Sequence, residues 1–211
     1  MAIRVDDKMT FLHLPKTGGT SFTHWIKNNF ENKFIHSGDT HDTYDQLLDS
    51  WRNNIYCVIR NPYDRTVTLY NYAKKVFSNP NILNHREFNK YFKPQIDELN
   101  KGFEHYILNM KDVHLYKRVE DKTRGVSAWN RKTLLRFLPK DLSKVNILRY
   151  ENLNEDFKKV QDFLNCQKPL PRENVSRPIN DDYRRWYTSE KLKEEVYNVF
   201  KEEIETFGYE F

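Results

Sequence analysis

The sequence predicts an α/β fold: a central parallel sheet flanked by helices. Two observations carry this. Short apolar runs, "TFLHL" at 10–14, "IYCVIR" at 55–60 and "VNILRY" at 145–150, alternate with stretches whose apolar residues recur every three or four positions. The run at 55–60 is rich in β-branched residues, Ile55, Val58 and Ile59, and is apolar up to Arg60, as suits a buried parallel strand. No internal repeat or low-complexity linker interrupts the 211 residues, a length that fits one domain over 1–211.

In chain order, "TFLHL" is the first expected strand. The helix after it, "SFTHWIKNNF", sets Phe22, Trp25, Ile26 and Phe30 on one face. "FIH" (34–36) is a short second strand, and "TYDQLLDSW" places Tyr44, Leu47, Leu48 and Trp51 at helical spacing. After the strand at 55–60, Asn61 and Pro62 supply a helix start. Residues 80–140 read as helices and loops without a clear pattern. Beyond "VNILRY" comes an amphipathic helix with Phe157, Val160 and Leu164 inward. A Pro- and Arg-rich loop spans about 166–187. The last helix begins near Ser189, turns Leu192, Val196, Phe200 and Ile204 inward, and ends at Gly208. In open parallel sheets ligands bind beyond the carboxyl ends of the strands.

Composition bounds the function classes. With 14 Phe, 13 Tyr and 4 Trp the chain can fill a core, which argues against disorder. A net charge of +5 favours an anionic ligand without requiring one. Cys57 and Cys166 form neither a CxxC pair nor a zinc spacing, and two thiols without a framework suit a reducing compartment. No run reaches the roughly 18 apolar residues of a membrane helix. The reading is a cytoplasmic protein with no membrane and no nucleic acid partner.

The chemistry-bearing stretch is "HLPKTGGTS" (13–21), between a strand and a helix. Gly18 and Gly19 let the backbone curl close to a ligand. The helix that follows points its unsatisfied N–H groups and positive dipole end at the loop, an arrangement that binds phosphate. Thr17, Thr20 and Ser21 add hydroxyls, and Lys16 adds a point charge. A Walker A loop carries its lysine after the glycines; here the lysine precedes them.

"HLPKTGGTS" resembles the 5′-phosphosulfate loop of sulfotransferases, particularly the carbohydrate type related to heparan sulfate sulfotransferases. The resemblance covers residues 10–75, extends over 145–211 and is weak between. It implies a three-layer P-loop-like fold and in-line transfer of a sulfuryl group from 3′-phosphoadenosine 5′-phosphosulfate (PAPS) to an acceptor hydroxyl on a carbohydrate. The product nucleotide is PAP, and no metal is needed. The cofactor-binding residues would be Lys16, Thr17, Gly18, Gly19, Thr20 and Ser21 for the 5′ side. For the 3′-phosphate they would be Arg60 and Thr68. The family pattern there is Arg, Asn or Asp, then Pro, with Ser eight residues after the Arg; this chain has Thr68 in place of that Ser.

Lys16 is the expected catalytic charge at the leaving group. The general base is expected in "HSGDTHDTYDQL" (36–47), since histidine has a suitable unperturbed pKa of about 6.5. His41 is the first choice, with His36 and Asp39 behind it. His13 reads as a satisfied core histidine, and Glu151 as structural. The basic segment Lys117, Arg118, Lys122, Arg124, Arg131, Lys132 and Arg136 reads as a solvated face or as an acceptor site for an anionic glycan. Two rivals stand beside this reading. An ATP-dependent small-molecule kinase would need a magnesium carboxylate where the 55–60 strand instead ends in Arg60. A non-catalytic module would bind glycan or nucleic acid through basic surface alone.

Overall fold

The computed structural model describes residues 2–37, 41–79, 93–109, 114–117, 125–127, 133–173 and 181–211. In chain order the elements are β1 (Ala2–Val5), β2 (Met9–Leu12), α1 (Gly19–Asn29), β3 (Phe34–His36), β4 (Ile55–Ile59), α2 (Pro62–Phe77), α3 (Lys93–Asn100) and α4 (Phe103–Asn109). There follow β5 (His114–Lys117), β6 (Gly125–Ser127), β7 (Val145–Arg149), α5 (Leu153–Asp156), α6 (Lys158–Phe163) and α7 (Glu190–Phe207). The chain divides into two compact units, 1–61 with 134–175 and 62–133 with 176–211.

The first unit holds a five-stranded sheet in the order β3-β1-β2-β4-β7. β2, β4 and β7 are parallel, as the sequence implied. β1, which the sequence reading passed over, runs antiparallel to both β2 and β3 and makes the sheet mixed. Its cause is a tight turn. Asp6 and Asp7 both take left-handed φ (49° and 50°), and the Lys8 N–H donates to the Val5 carbonyl at 3.0 Å. Asp6 and Asp7, in the left-handed region that aspartate tolerates, are the centre of the turn closed by that bond, and with Lys8 they make a three-residue loop between the paired Val5 and Met9. Ala2 therefore pairs with Leu12 and Val5 with Met9.

The core of this unit lies where the helical periodicities pointed. Phe22, Trp25 and Ile26 of α1 and Phe157 and Val160 from the α5–α6 segment pack on Ile3, Met9, Phe11, Tyr56, Val58 and Leu148 of the sheet. Phe11 and Phe22 stack at 3.9 Å, and Phe157 meets Trp25 edge-on at 4.9 Å. The expected helix at 44–51 is instead two 3₁₀ turns, Tyr44–Gln46 and Asp49–Trp51. A Thr43–Gln46 capping box closes the first turn, and extended φ/ψ at Leu47 and Leu48 separates it from the second. Leu47 is buried, but Leu48 is 66% exposed.

In the second unit α2 and α7 are joined by a buried ion pair, Arg65 to Glu203 at 2.8 Å. Around them Tyr63, Tyr70, Phe103, Trp186, Tyr187 and Phe211 form an edge-to-face aromatic cluster. Tyr187 donates its hydroxyl proton to the Tyr63 carbonyl (2.9 Å), so its polar end is satisfied inside the cluster. Gly208 ends α7 with φ 61°, as expected of a C-terminal glycine. Among the described residues no helix is long and apolar enough to cross a membrane.

Candidate active site

Because β2, β4 and β7 are parallel, their carboxyl ends open on one side of the sheet. The segments leaving those ends carry His13 to Gly18, Arg60 and Tyr150.

Residues 13–18 turn the chain from β2 into α1. Two positions in that turn are left-handed, Lys16 at φ 60° and Gly18 at φ 88°. Glycine adopts such a φ freely; for lysine it costs roughly 1–2 kcal/mol, a strain of the kind that clusters at ligand clamps. Gly18 is the N-cap of α1 and, as a glycine, supplies no side-chain capping bond. The turn is also sterically closed. A Cβ on Gly19 would stand 2.1 Å from Cδ2 of His13, and one on Gly18 would stand 3.1 Å from Cε2 of Tyr150. Gly19 is therefore fixed by space, and Gly18 chiefly by its left-handed φ, with the Tyr150 ring close beside it.

The hydroxyls of this loop divide the work. Thr17, fully buried, donates to the Leu14 carbonyl at 3.1 Å, so its single hydroxyl proton braces the turn and its backbone N–H is what it can offer a ligand. Ser21 Oγ accepts the Glu173 N–H at 3.0 Å. With Trp25 Nε1 donating to the Lys168 carbonyl (2.8 Å) and His24 3.3 Å from Glu173, this bond ties residues 168–173 to α1. Thr20 is half-buried at the second position of the helix.

Arg60, 6% exposed, leaves the end of β4 and reaches this loop. Its guanidinium carbon lies 3.8 Å from the centre of the Tyr150 ring, and Nη1 donates to the Lys16 carbonyl at 3.4 Å. The arginine expected at a second anion site thus also touches the first. The Asn61 N–H donates to Glu151 Oε1 at 2.6 Å, which gives Glu151 the structural role read from the sequence. Thr68 belongs to the second unit, on α2, where it is buried and its Oγ1 has no hydrogen-bond partner among the described residues.

His41 is held against the start of the loop. Its Nδ1 lies 2.9 Å from the His13 carbonyl oxygen. A carbonyl only accepts, so Nδ1 carries the proton and the lone pair sits on Nε2. The adjacent Asp42 carboxylate accepts the Ala2 N–H at 2.8 Å and the Ser37 hydroxyl, which fixes the chain beside His41 to β1. Burial pushes the His41 pKa down to about 3 and that of His13 to about 4. Both imidazoles are neutral at ordinary pH. His36 lies on β3, separated from β2 by β1, so two strand spacings of about 4.8 Å each intervene. Its pKa too is lowered, chiefly by burial.

Two residues the sequence reading left out of the site belong to it by contact. Tyr150 touches Gly18 and Arg60; the available signal was an aromatic directly after a parallel strand. His13 is not a satisfied core histidine: its buried Nδ1 has no hydrogen-bond partner among the described residues, and its ring packs on Gly19 and lies edge-on to His41 at 5.1 Å. Asp39, residues 174–180 of the Pro- and Arg-rich loop and most of the basic middle segment lie outside the described residues; Arg136 is described and exposed. A recess of about 430 Å³ in the second unit, lined by Phe103, Glu104, Arg185, Trp186 and Thr188, contains none of the expected site residues.

A family model described as "Sulfotransferase family" matches residues 1–210 of the chain. No curated protein sequence matches it. Among solved structures, that of mouse sulfotransferase SULT7A1 complexed with PAP is similar, with a TM-score of 0.51 and 17% sequence identity over 94% of this chain and 84% of that one. At that identity the likeness speaks for the fold.

Proposed function

The chain belongs to the sulfotransferase family, and from that premise we propose that it moves the sulfuryl group of PAPS onto a hydroxyl of a carbohydrate acceptor. The observation that carries this reading is the strained loop: left-handed Lys16 and Gly18 opening into a helix whose N-cap is a glycine. The residues fit a 5′-phosphate there, because the loop opens into the N-terminus of α1 at a glycine N-cap, with the hydroxyl-bearing Thr20 in the first turn. The carbohydrate class rests on the resemblance of "HLPKTGGTS" to that branch of the family.

Bound PAPS supplies an activated sulfuryl group on a 5′-phosphate. The chain's part is positioning and charge. Backbone N–H groups of residues 17–20 hold the 5′ side, and Lys16 stabilises the negative charge left on the departing phosphate. Arg60 offers a fork of donors to the 3′-phosphate. Thr68 is assigned to the same phosphate on its place eight residues after Arg60 in the sequence and on its unsatisfied hydroxyl. His41 is assigned the acceptor proton at Nε2, with its Nδ1–H held by the His13 carbonyl; because burial holds its pKa near 3, the role requires a bound acceptor to offset that desolvation.

Calorimetry with PAP, AMP and ATP tests the donor site. PAP should bind at least roughly tenfold tighter than AMP, the scale of a lost charge-assisted contact set, and Arg60→Ala should remove most of that gap. Equal binding of PAP and AMP would sink the 3′-site. Transfer of radiolabelled sulfate to a panel of glycans and small phenols tests the acceptor. Label in phenols but not in glycans would overturn the carbohydrate class.

A further inference from the structure

We propose that His13 is a positioning residue that locks the donor loop and the base into one arrangement, an inference that rests on the roles just given to that loop and to His41. Three contacts converge on it. Its ring fills the space over Gly19, so closely that an added Cβ would meet Cδ2 at 2.1 Å and Nε2 at 2.4 Å. Its carbonyl accepts the His41 Nδ1–H at 2.9 Å. The two imidazoles meet edge to face at 5.1 Å. One residue therefore touches the first residue of α1 with its side chain and sets the tautomer of the base with its backbone.

The buried Nδ1, without a hydrogen-bond partner among the described residues, marks the cost of this placement. A buried polar atom left unpaired is destabilising, and an apolar side chain would avoid that. A group kept at such a cost beside the loop is a functional constraint on position. The polar ring is held by the geometry it enforces: if it turned away from Gly19, the His41 ring would lose the surface against which it is held.

The test compares His13→Ala and His13→Asn with the parent. Asparagine keeps Cγ and both δ atoms against Gly19; alanine keeps none. The readouts are PAP affinity, turnover with an accepted substrate, and the His41 tautomer by long-range proton–nitrogen correlation. His13→Ala should lose turnover roughly ten- to a hundredfold, no more than the low end of the roughly 10²–10⁴ that a general base contributes, because the base itself remains. Its PAP affinity should stay within about threefold, and the His41 signal should move from the Nδ1-protonated form toward a mixture. His13→Asn should keep at least about a third of parental turnover and the parental tautomer. A His13→Ala protein with parental turnover and tautomer overturns the proposal, and so does an Asn variant as impaired as the Ala one. Should His13→Ala fail to fold, the Asn variant decides: loss of turnover with the parental tautomer intact is equally fatal. Failure of the parent to bind PAP overturns the donor reading instead, whatever the His41 tautomer does.

Discussion

The Arg60 guanidinium lies over the Tyr150 ring at 3.8 Å, and the same ring closes the space beside Gly18. Tyr150 thus supports the arginine proposed for the nucleotide and the loop at once. Such a stack contributes about 0.5–2 kcal/mol, the larger value when desolvated. Tyr150→Leu should weaken PAP binding by roughly three- to tenfold, whereas Tyr150→Phe, which keeps the ring, should stay within about twofold. Calorimetry decides; an unchanged affinity in the leucine variant removes Tyr150 from the site.

Lys16 carries both a charge and a strained backbone, and two substitutions separate them. Lys16→Ala and Lys16→Gly should both cut turnover by about 10²–10³, the scale of a lost charge-stabilising donor, while PAP still binds through the backbone. Only glycine relieves the left-handed φ of 60°. Lys16→Gly should therefore be more stable than Lys16→Ala by about 1 kcal/mol in urea denaturation. Equal stability of the two would mean that the loop relaxes when the lysine is gone.

The depressed pKa of His41 has a direct effect on stability. Between about 3 and 6.5 the unfolded chain holds a proton on this imidazole and the folded chain does not. Folding therefore weakens as pH falls through that window and is indifferent to this group above it. His13 acts in the same direction from about 4 upward. Each histidine contributes at most about 1.4 kcal/mol per pH unit. Urea midpoints should fall between about pH 7.5 and about pH 5, and His41→Gln should shrink that drop. A parent protein equally stable at both values would show that the imidazoles are more open to solvent than their packing implies.

Arg65 and Glu203, 1% and 0% exposed, face each other at 2.8 Å within the second unit. Removing one partner leaves the other charge buried. Glu203→Leu should destabilise by about 3–5 kcal/mol, and Arg65→Leu by a similar amount. The double leucine variant should be less damaged than the sum of the singles. Additive losses in denaturant would mean that the two side chains do not depend on each other.

The sequence made the donor loop readable because its signal is local: Lys16, Gly18 and Gly19 sit between a strand and a helix within one short stretch. The faces of α1 and α7 were readable for the same reason, since periodicity needs no tertiary information. β1 was missed because four residues joined by Asp6-Asp7 carry no glycine or asparagine to announce a turn. The turn at Leu47–Leu48 was missed because helical spacing of apolar residues persists through a segment whose backbone is extended there. Tyr150 and His13 join the site through contacts with residues remote in sequence or through a bond made by the main chain. Neither leaves a pattern in the string of side chains. The pKa of about 3 at His41 belongs to the same class, because burial is a property of the fold.

β1 occupies an interior place in the sheet, bonded to β2 along one side and to β3 along the other. Stripping Ala2–Val5 would therefore bare two strands at once. β3 would lose its pairing within the sheet, and β2 would present an unpaired row of N–H and C=O groups beside the fully buried Met9, Phe11 and Leu12. An apolar open edge of that kind is a template for a strand from another molecule. A chain shortened by five residues should accordingly be lost to self-association in solution, with every residue of the donor loop still in its sequence.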